Sequence, residues 1–295
     1  MTIAFRLGKV CTMENPFKSK TAIGIVTCNR PEFFTKAYES IDKNVVDSIT
    51  VVNAGEHYES YPEGCNPFFC QKIPTVVGVA KNILLRQMRN ASPDAEFFFV
   101  MEDDVYIKDN AVFQKYIETG LDSGLIHGQL SFATHGGITG GNVNPTTGVP
   151  SKVASVAYDK HQVDFFKNSF AAFTFFHAST FKALGPNLFN EKFLNAAEHL
   201  ELHHRMQKKA MGTPFFYFAD VADSFEYIVD QDIDHKNSSI RNSPDFMANF
   251  QYSWNLFKEL HGKFPTGIPE IPNEQLMPWL EQLETMYAQK DRLTH

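Results

Sequence analysis

The sequence predicts an α/β fold in which a mixed, mostly parallel sheet of the Rossmann type is flanked by helices, with a helical extension at the C terminus. Three observations indicate it. In the first half of the chain, short apolar runs alternate with amphipathic stretches, as in parallel sheets covered by helices. From Gly124 onwards the segments are rich in β-forming residues. Two stretches with helical spacing, separated by a proline-rich link, end the chain.

The strands and helices can be assigned in chain order. The first apolar run is typical of a buried strand, and Pro31 then stands in the first turn of a helix, where proline is tolerated because that amide has no helical partner. The pattern predicts strands at 22–27, 49–53 and 96–101, helices from Pro31, at 79–88 and at 109–120, and C-terminal helices at 245–261 and 273–291.

The composition is that of a globular protein with a large core. Hydrophobic residues make up 43% of the 295, and the 28 phenylalanines are spread along the chain, so we expect most of them in the core. A net charge of -7 argues against a broad surface for nucleic-acid phosphates. The four cysteines lack zinc-type spacing and predict free thiols. Residues 1–20 resemble neither a secretory signal nor a membrane span, which predicts the cytoplasm, or the host cytoplasm if the protein is viral.

An acidic triplet, Glu102-Asp103-Asp104, directly follows the third predicted strand. Open α/β sheets bind their ligands at the carboxyl ends of strands. Adjacent carboxylates repel one another, so they need a cation or solvent nearby. A hard divalent cation held by one or two carboxylates and by substrate phosphates fits this place. The alternative is a solvated acidic turn that caps the next helix.

The segment MEDDVYIKDNAVFQKYI resembles the acidic metal-binding motif of glycosyltransferases with the GT-A fold, and its E-D-D form is similar to that of N-acetylglucosaminyltransferases. The resemblance covers roughly residues 21–262. It implies that Asp104 binds Mn²⁺ or Mg²⁺. It also implies that Glu102 and Asp103 contact the ribose of the nucleotide or water molecules on the metal.

Three further segments resemble the part of this family that binds the nucleotide sugar. GIVTCNRP is similar to its opening strand and turn, which implies that Thr27, Asn29 and Arg30 line the nucleoside pocket. Asn53 stands where the family usually has an aspartate that recognises the base. Lys81, in VAKN, replaces an arginine that faces the donor; the alternative is a solvated helix residue.

The segment from His177 to Val221 resembles the acceptor side of the family, whose general base deprotonates the attacking hydroxyl. The family often has an E-D pair there, and this chain has Glu198 and His199. We expect Glu198 to be the base, with His199 second. Asn195 and Glu198 also fit a capping box, which is a structural alternative.

Two neighbouring pairs complete the candidate residues. Glu201 and Arg205 are spaced as i, i+4 partners and are interpreted as a surface ion pair. Many members of the family complete the metal shell with a late histidine, which implies that His235 is a second metal ligand. Arg241 follows at a position suited to a phosphate contact.

Together these features predict an enzyme that moves a sugar from a nucleotide-diphosphate donor to an acceptor hydroxyl, with inversion. The acceptor would be a glycan or another hydroxyl compound, including a hydroxymethylated base of phage DNA. We expect a single catalytic domain at 1–243, divided into a nucleotide-binding half (20–105) and an acceptor half (106–243), with helices at 244–295 packed on it. The glycine-rich segment 135–148 is either a lid over the donor or a surface excursion.

Two alternatives remain open at this stage. A nucleotidyltransferase would also use acidic strand ends, but it normally has a glycine-rich phosphate loop after its first strand, and TCNRPEFF contains no glycine. A non-catalytic module that binds carbohydrate or nucleic acid is the other.

Overall fold

A computed structural model describes residues 15–70, 77–132, 152–166, 172–209, 211, 218–232, 236–237, 240–265 and 273–282. Nine strands form one mixed sheet in the order β3-β2-β1-β4-β9-β6-β10-β8-β7, and β5 pairs with β11 in a separate ribbon. The strands are β1 (Thr21–Thr27), β2 (Ser48–Asn53), β3 (Phe68–Phe69), β4 (Phe97–Glu102), β5 (Val105–Ile107), β6 (Leu130–Ser131), β7 (Lys152–Tyr158), β8 (His161–Phe166), β9 (Phe173–His177), β10 (Phe218–Val221) and β11 (Ile228–Asp230). The helices are α1 (Pro31–Glu39), α2 (Val77–Ala91), α3 (Ala111–Asp122), α4 (Ala178–Leu184), α5 (Glu198–Lys208) and α6 (Phe246–His261).

The N-terminal half of the sheet is parallel. Strand β1 is buried along its whole length and lies between β2 and β4, parallel to both. Helix α2 packs against this layer so closely that a Cβ on Gly24 would lie 2.5 Å from Sδ of Met88. The predicted fold class is therefore confirmed, and the carboxyl ends of β1, β2 and β4 meet at one edge of the sheet.

The other half of the sheet is mostly antiparallel. Strand β9 runs antiparallel to β4 and to β6, and β8 runs antiparallel to β10 and β7, whereas β10 and β6 are parallel. Phenylalanines fill the core beneath it, with the rings of Phe99 and Phe175 at 4.9 Å and those of Phe99 and Phe113 at 5.1 Å. Many phenylalanines therefore lie in the core, as the sequence predicts.

The predicted C-terminal helix at 245–261 is confirmed as α6, which packs on α5 and on the segment before it. Phe257 and Leu256 join a buried cluster with Leu200 of α5, and the Ser253 hydroxyl donates a hydrogen bond of 2.9 Å to the carbonyl of Leu194. Residues 276–282 are also helical, and the rest of the predicted helix at 273–291 lies outside the described residues. The segment 135–148 lies outside them too. None of the helices in the described ranges is long and apolar enough to cross a membrane.

Candidate active site at the carboxyl ends of the parallel strands

The acidic triplet lies at the edge where the parallel strands end. Glu102 is the last residue of β4 and is in register with Val26 of β1, while Asp103 and Asp104 form the turn before β5. Helix α3 begins later, at Ala111, so the alternative in which the triplet caps that helix is wrong. The β1–α1 turn and the acidic turn are therefore neighbours.

Asp103 is bonded on both carboxylate oxygens. Oδ2 accepts hydrogen bonds from the Thr27 hydroxyl (2.6 Å) and from the Cys28 amide (3.3 Å), and Oδ1 forms an ion pair with Arg30. The side chain is 1% exposed. Burial raises the pKa of Asp103, while the Arg30 guanidinium and the Thr27 hydroxyl act against that rise. Asp103 thus joins the two turns from inside the protein.

Asp104, the next residue, has a buried oxygen that the described residues leave without a hydrogen bond. Its Oδ1 is buried and accepts no hydrogen bond from the described residues, and its Oδ2 lies 3.9 Å from Nη2 of Arg30. Burial and the neighbouring Glu102 carboxylate raise the pKa of Asp104 to about 7. At the Asp104 carboxylate, burial and the negative charge of the neighbouring acids therefore outweigh the positive charge of Arg30.

Strand β11 brings a further acid to the same place. The Gln231 amide donates a hydrogen bond of 2.6 Å to the carbonyl of Asp104, and Asp232 follows directly. Asp232 is 3% exposed, and its Oδ2 lies 3.7 Å from Nη1 of Arg30 without a hydrogen bond from the described residues. The sequence analysis missed Asp232, although the acid-rich segment VDQDIDH was a signal for it.

Arg241 and His235 are the two other candidates from this part of the chain. Arg241 is exposed and interacts electrostatically with the carboxylates of Asp104, Glu102 and Asp232, so it lies near the acidic turn, and its contact with a phosphate stays a prediction. His235 lies outside the described residues.

Lys81 links the acidic turn to the start of α5. It is 1% exposed, so the alternative of a solvated helix residue is wrong. Its Nζ lies 2.6 Å from Oε1 of Glu102 and 3.3 Å from Oε1 of Glu198. Burial acts to lower the pKa of Lys81, but the two carboxylates outweigh it and raise that pKa. Lys81 is therefore a buried ammonium between two acids that are far apart in sequence.

Glu198 is the first residue of α5 and is kept ionised. Burial acts to raise its pKa, but Lys81 and His199 outweigh that effect and lower the pKa below its usual range. Nδ1 of His199 lies 3.6 Å from Oε1 of Glu198. The two predicted base candidates are thus adjacent in space, next to Lys81.

The local structure corrects two predictions about α5. The N-cap is Ala197, at φ 63°, and the side chain of Asn195 makes no hydrogen bond to the described residues, so the proposed capping box is wrong. Glu201 and Arg205 do form an ion pair, at 2.9 Å, but Glu201 is 2% exposed, so this pair does not lie on the surface.

Asn29 and Asn53 hold a loop after β2. The Asn53 amide donates hydrogen bonds to the Glu56 carbonyl (2.8 Å) and the Tyr61 hydroxyl (2.9 Å) and accepts one from the Gly55 amide (2.8 Å). Asn29, at φ 56°, accepts a hydrogen bond of 2.7 Å from the Glu56 amide. Both side chains are therefore used in folding the loop.

That loop carries an aromatic group that the sequence analysis also missed. The ring of His57 stacks on that of Phe69 at 4.7 Å, and Tyr58 stacks on Tyr61 at 5.3 Å. His57 and Phe69 are exposed, and Phe69 is 40% exposed. The group flanks Thr27, whose hydroxyl shares a hydrogen bond of 2.5 Å with that of Tyr58.

A divalent cation fits the free oxygens at the acidic turn. Hard cations prefer oxygen ligands, and Oδ1 of Asp104 and Oδ2 of Asp232 are buried acceptors without a hydrogen bond from the described residues. The described part of the chain contains no group of three or more acidic, histidine or cysteine side chains placed to hold a metal on their own. The donor set therefore suits an ion that takes its other ligands from a bound phosphate and water.

Comparison with known proteins supports the fold. No protein-family model and no curated sequence matches the chain. The structure of GalNAc-T7 with UDP, GalNAc and Mn²⁺ is similar at a TM-score of 0.52 and 10% identity, over 90% of this chain and 54% of that one. The structure of TarS from S. aureus is similar at a TM-score of 0.39 and 14% identity, over 87% of this chain and 46% of that one. The structure of A197 from STIV is similar at a TM-score of 0.37 and 13% identity, over 63% of this chain and 78% of that one. The chain thus shares the fold of GalNAc-T7 and spans about half the length of that structure.

Proposed function

We propose that the protein is a metal-dependent glycosyltransferase that moves a sugar from a nucleotide-diphosphate donor to an acceptor hydroxyl, with inversion. One observation carries the proposal: the buried Lys81 lies between Glu102 of the acidic turn and Glu198 of α5, and Asp104 of the same turn keeps a buried carboxylate oxygen without a hydrogen bond from the described residues. The acidic turn and a candidate base thus share one buried cation. The shared fold with GalNAc-T7, which was crystallised with UDP, GalNAc and Mn²⁺, is consistent with this reaction.

The acidic turn would hold the diphosphate of the donor through the cation. Asp104 and Asp232 offer the oxygens, with His235 as a further proposed ligand, and a bound Mn²⁺ or Mg²⁺ would neutralise charge on the leaving diphosphate. Arg241 is exposed beside these carboxylates and is suited to a phosphate contact. Glu102 is partly exposed and remains the candidate for the ribose, whereas Asp103 acts by positioning Arg30 and Thr27.

The nucleoside would lie against the loop after β2. Asn53 and Asn29 shape this loop through their hydrogen bonds, and the exposed rings of His57 and Phe69 offer a surface on which a base can stack. We therefore assign Asn53 to support of the pocket instead of direct recognition of the base.

Glu198 and His199 would act on the acceptor. The acceptor oxygen attacks the anomeric carbon as the bond to the diphosphate breaks. The proton of the hydroxyl passes to the base, and the diphosphate leaves with the bonding electrons. Glu198 is ionised, as a base must be before it accepts a proton, but the Lys81 ammonium that lowers its pKa also weakens it as a base. His199, at 3.6 Å, can accept the proton in turn or orient the carboxylate.

A saccharide is the acceptor that the neighbouring surface favours. Helix α6 packs on the segment that leads into α5. On α6 the ring centres of Phe250 and Trp254 lie 5.4 Å apart, and the ring of Phe264, which follows the helix, lies 6.4 Å from that of Trp254. These rings are only partly buried. Aromatic faces with one apolar side suit sugar rings, so we prefer a glycan to a hydroxymethylated base of DNA.

The proposal is tested by heat stabilisation with nucleotide sugars, since a ligand that binds the native state raises its melting temperature. We expect one nucleotide sugar to raise the melting temperature more with Mn²⁺ than without it. In Asp104→Asn this additional increase with Mn²⁺ should be lost. Asp94→Asn, an exposed acid in the turn before β4, is the matched control and should keep the full effect. Release of nucleotide from that donor distinguishes an enzyme from a binding module. A metal-dependent increase that survives in Asp104→Asn contradicts the metal assignment.

A further inference from the structure

A second concave site lies on the other side of the nucleotide-binding half, between the last turns of α2 and helix α4. Its walls carry Arg86, Arg89 and Asn90 on α2 and Lys182 on α4, and its floor includes Phe98 of β4 and Phe181 of α4. We call it the α2–α4 groove. Its volume is about 830 Å³, which is within the range of small-molecule sites.

The groove is separate from the candidate active site. Lys81 lies near the start of α2, and Arg89 lies eight positions further on, so a rise of about 1.5 Å per residue places them about 12 Å apart along the helix. No hydrogen bond or ion pair among the described residues joins the side chains that line the groove to the acidic turn or to α5, although Phe98 and Phe181 belong to the same buried cluster as Leu202 of α5. A ligand in the groove would therefore bind independently of the proposed donor.

The described part of the protein does not neutralise the cations of the groove. Arg86, Arg89 and Lys182 are exposed, and the groove is lined by no acidic residue among those described. Lys20, by comparison, is exposed and pairs with Glu96 at 2.7 Å. Within the ranges that the structure describes, none of the three groove cations forms an ion pair with a carboxylate. On a chain with 34 acidic and 27 basic residues, such a cluster is the opposite of the average surface.

The arrangement of the two arginines favours a compact anion. Arg86 and Arg89 are three positions apart on α2, so they project from the same face of the helix. The Arg89 guanidinium lies 5.0 Å from the centre of the Phe181 ring, which fixes it at the boundary between the cationic wall and the apolar floor. Arginine binds phosphate through paired N–H groups, so the wall is suited to one phosphate and the apolar lining to an apolar body.

We propose that the α2–α4 groove binds a small organic phosphate, in which a phosphate group contacts Arg86, Arg89 and Lys182 and an apolar or aromatic body lies against the exposed Pro93 and Pro186. An extended nucleic acid fits less well, because backbone binding needs cations spread along a surface and the net charge of the chain is -7. A phosphate-bearing lipid headgroup has the same local chemistry, so the experiment includes it as a separate source.

The test is calorimetric titration with 2-naphthyl phosphate in EDTA, which removes divalent cations. We expect the dissociation constant to rise at least about tenfold in the double variant R86E/R89E, because hydrogen bonds to charged groups are lost. Lys182→Glu, on the opposite wall, should weaken binding as well. The matched control K160E/K192E changes the net charge equally at two exposed lysines outside the groove and should bind within about twofold of the wild type.

Further measurements decide what the groove binds. Binding of 2-naphthol as strong as that of the phosphate, or an equal loss in K160E/K192E, would overturn the proposal. Loss of binding in Asp104→Asn would place the ligand in the candidate active site and would also overturn it. Phosphatidylglycerol vesicles or a single-stranded DNA oligonucleotide that bind through Arg86 and Arg89 while 2-naphthyl phosphate does not bind would show a membrane or nucleic-acid surface instead.

Discussion

Two neighbouring regions at the same edge of the sheet treat their polar side chains in opposite ways. Asp103, which is bonded to Thr27 at the end of β1, and Asn53 at the end of β2 are almost completely buried, and the protein supplies hydrogen bonds or ion pairs to both ends of each side-chain group. At the acidic turn and β11, Asp104 and Asp232 each keep a buried oxygen without a hydrogen bond from the described residues. In the first region the protein pairs the buried polar groups itself, whereas in the second the described residues leave buried carboxylate oxygens unpaired.

This difference separates residues whose polar groups support the structure of the site from residues whose polar groups are available to bind a ligand. Buried polar groups are nearly always paired, and an unpaired one has a free-energy cost, so it indicates an absent partner. Asp103 and Asp104 are consecutive in sequence and have the same chemistry, yet of the two only Asp104 has a buried oxygen that the described residues leave unpaired. Lys81 belongs to neither region and joins Glu102, the first residue of the acidic triplet, to Glu198 of α5.

The largest effect that would sharpen the comparison is expected from Glu198→Gln. The amide keeps the shape of the side chain but cannot accept the proton, so transfer should fall about a thousandfold, within the usual range for loss of a general base. Binding of the donor should be unchanged, because Lys81 and Asp104 remain. The measurement is the single-turnover rate of transfer with the donor that the stabilisation assay identifies.

The matched control for that variant is Glu201→Gln, which changes the same residue type one turn later on α5, where the carboxylate pairs with Arg205. It should keep most of the transfer rate. His199→Asn decides between the two base candidates, since a loss larger than that of Glu198→Gln assigns the proton to His199. Full transfer by both Glu198→Gln and His199→Asn would exclude the pair as the base.

The next largest effect is expected from Lys81→Met, which removes the ammonium group that lies between Glu102 and Glu198. Removing the ammonium leaves Glu198 buried without its main countercharge, and breaking a buried ion pair in this way costs about 3 kcal/mol of unfolding free energy. Urea unfolding measures it. Adding Glu198→Gln should recover part of the loss, because the uncompensated charge is then removed.

The exposed residue Lys160 provides the control for that experiment, and Lys160→Met should change the unfolding free energy by less than about 0.5 kcal/mol. A loss that small in Lys81→Met would mean that the carboxylates are already screened by solvent. Lys81 would then lose its role as the link between the acidic turn and the candidate base.

The sequence predicts the parallel half of this edge well, because local patterns determine it. The apolar runs identify β1, β2 and β4, and the strand end places Glu102 at the carboxyl edge. The contact between Lys81 and Glu198 could not be predicted from spacing, since it joins residues 117 positions apart through the packing of α2 against α5. The position of Asp232 depends on the pairing of β11 with β5, and β11 has only three residues, which is too short a pattern to predict a strand from the sequence.

The start of α5 shows the reverse case, in which a local pattern predicted the wrong structure. Asn195 and Glu198 have the spacing of a capping box, but the chain enters α5 through residues with positive φ at Asn195 (55°) and Ala197 (63°). In that conformation the Asn195 side chain does not cap the helix, and the Glu198 carboxylate turns to Lys81 instead. The tertiary ion pair therefore uses the side chain that the motif assigned to the cap.

The smallest effect is expected from Asn53→Ala, which removes a support from the first region. The change removes three hydrogen bonds, to Glu56, Tyr61 and Gly55, and leaves partly buried partners unpaired, so the unfolding free energy should fall by about 2 kcal/mol. Asn187→Ala, at an exposed position after α4, should change it by less than about 0.5 kcal/mol. The preference among nucleotide bases, measured as relative dissociation constants, should stay the same in Asn53→Ala, because the side chain supports the loop without facing the base. A switch in base preference at unchanged stability would show that Asn53 reads the base, and the division between the two regions would then fail at this residue.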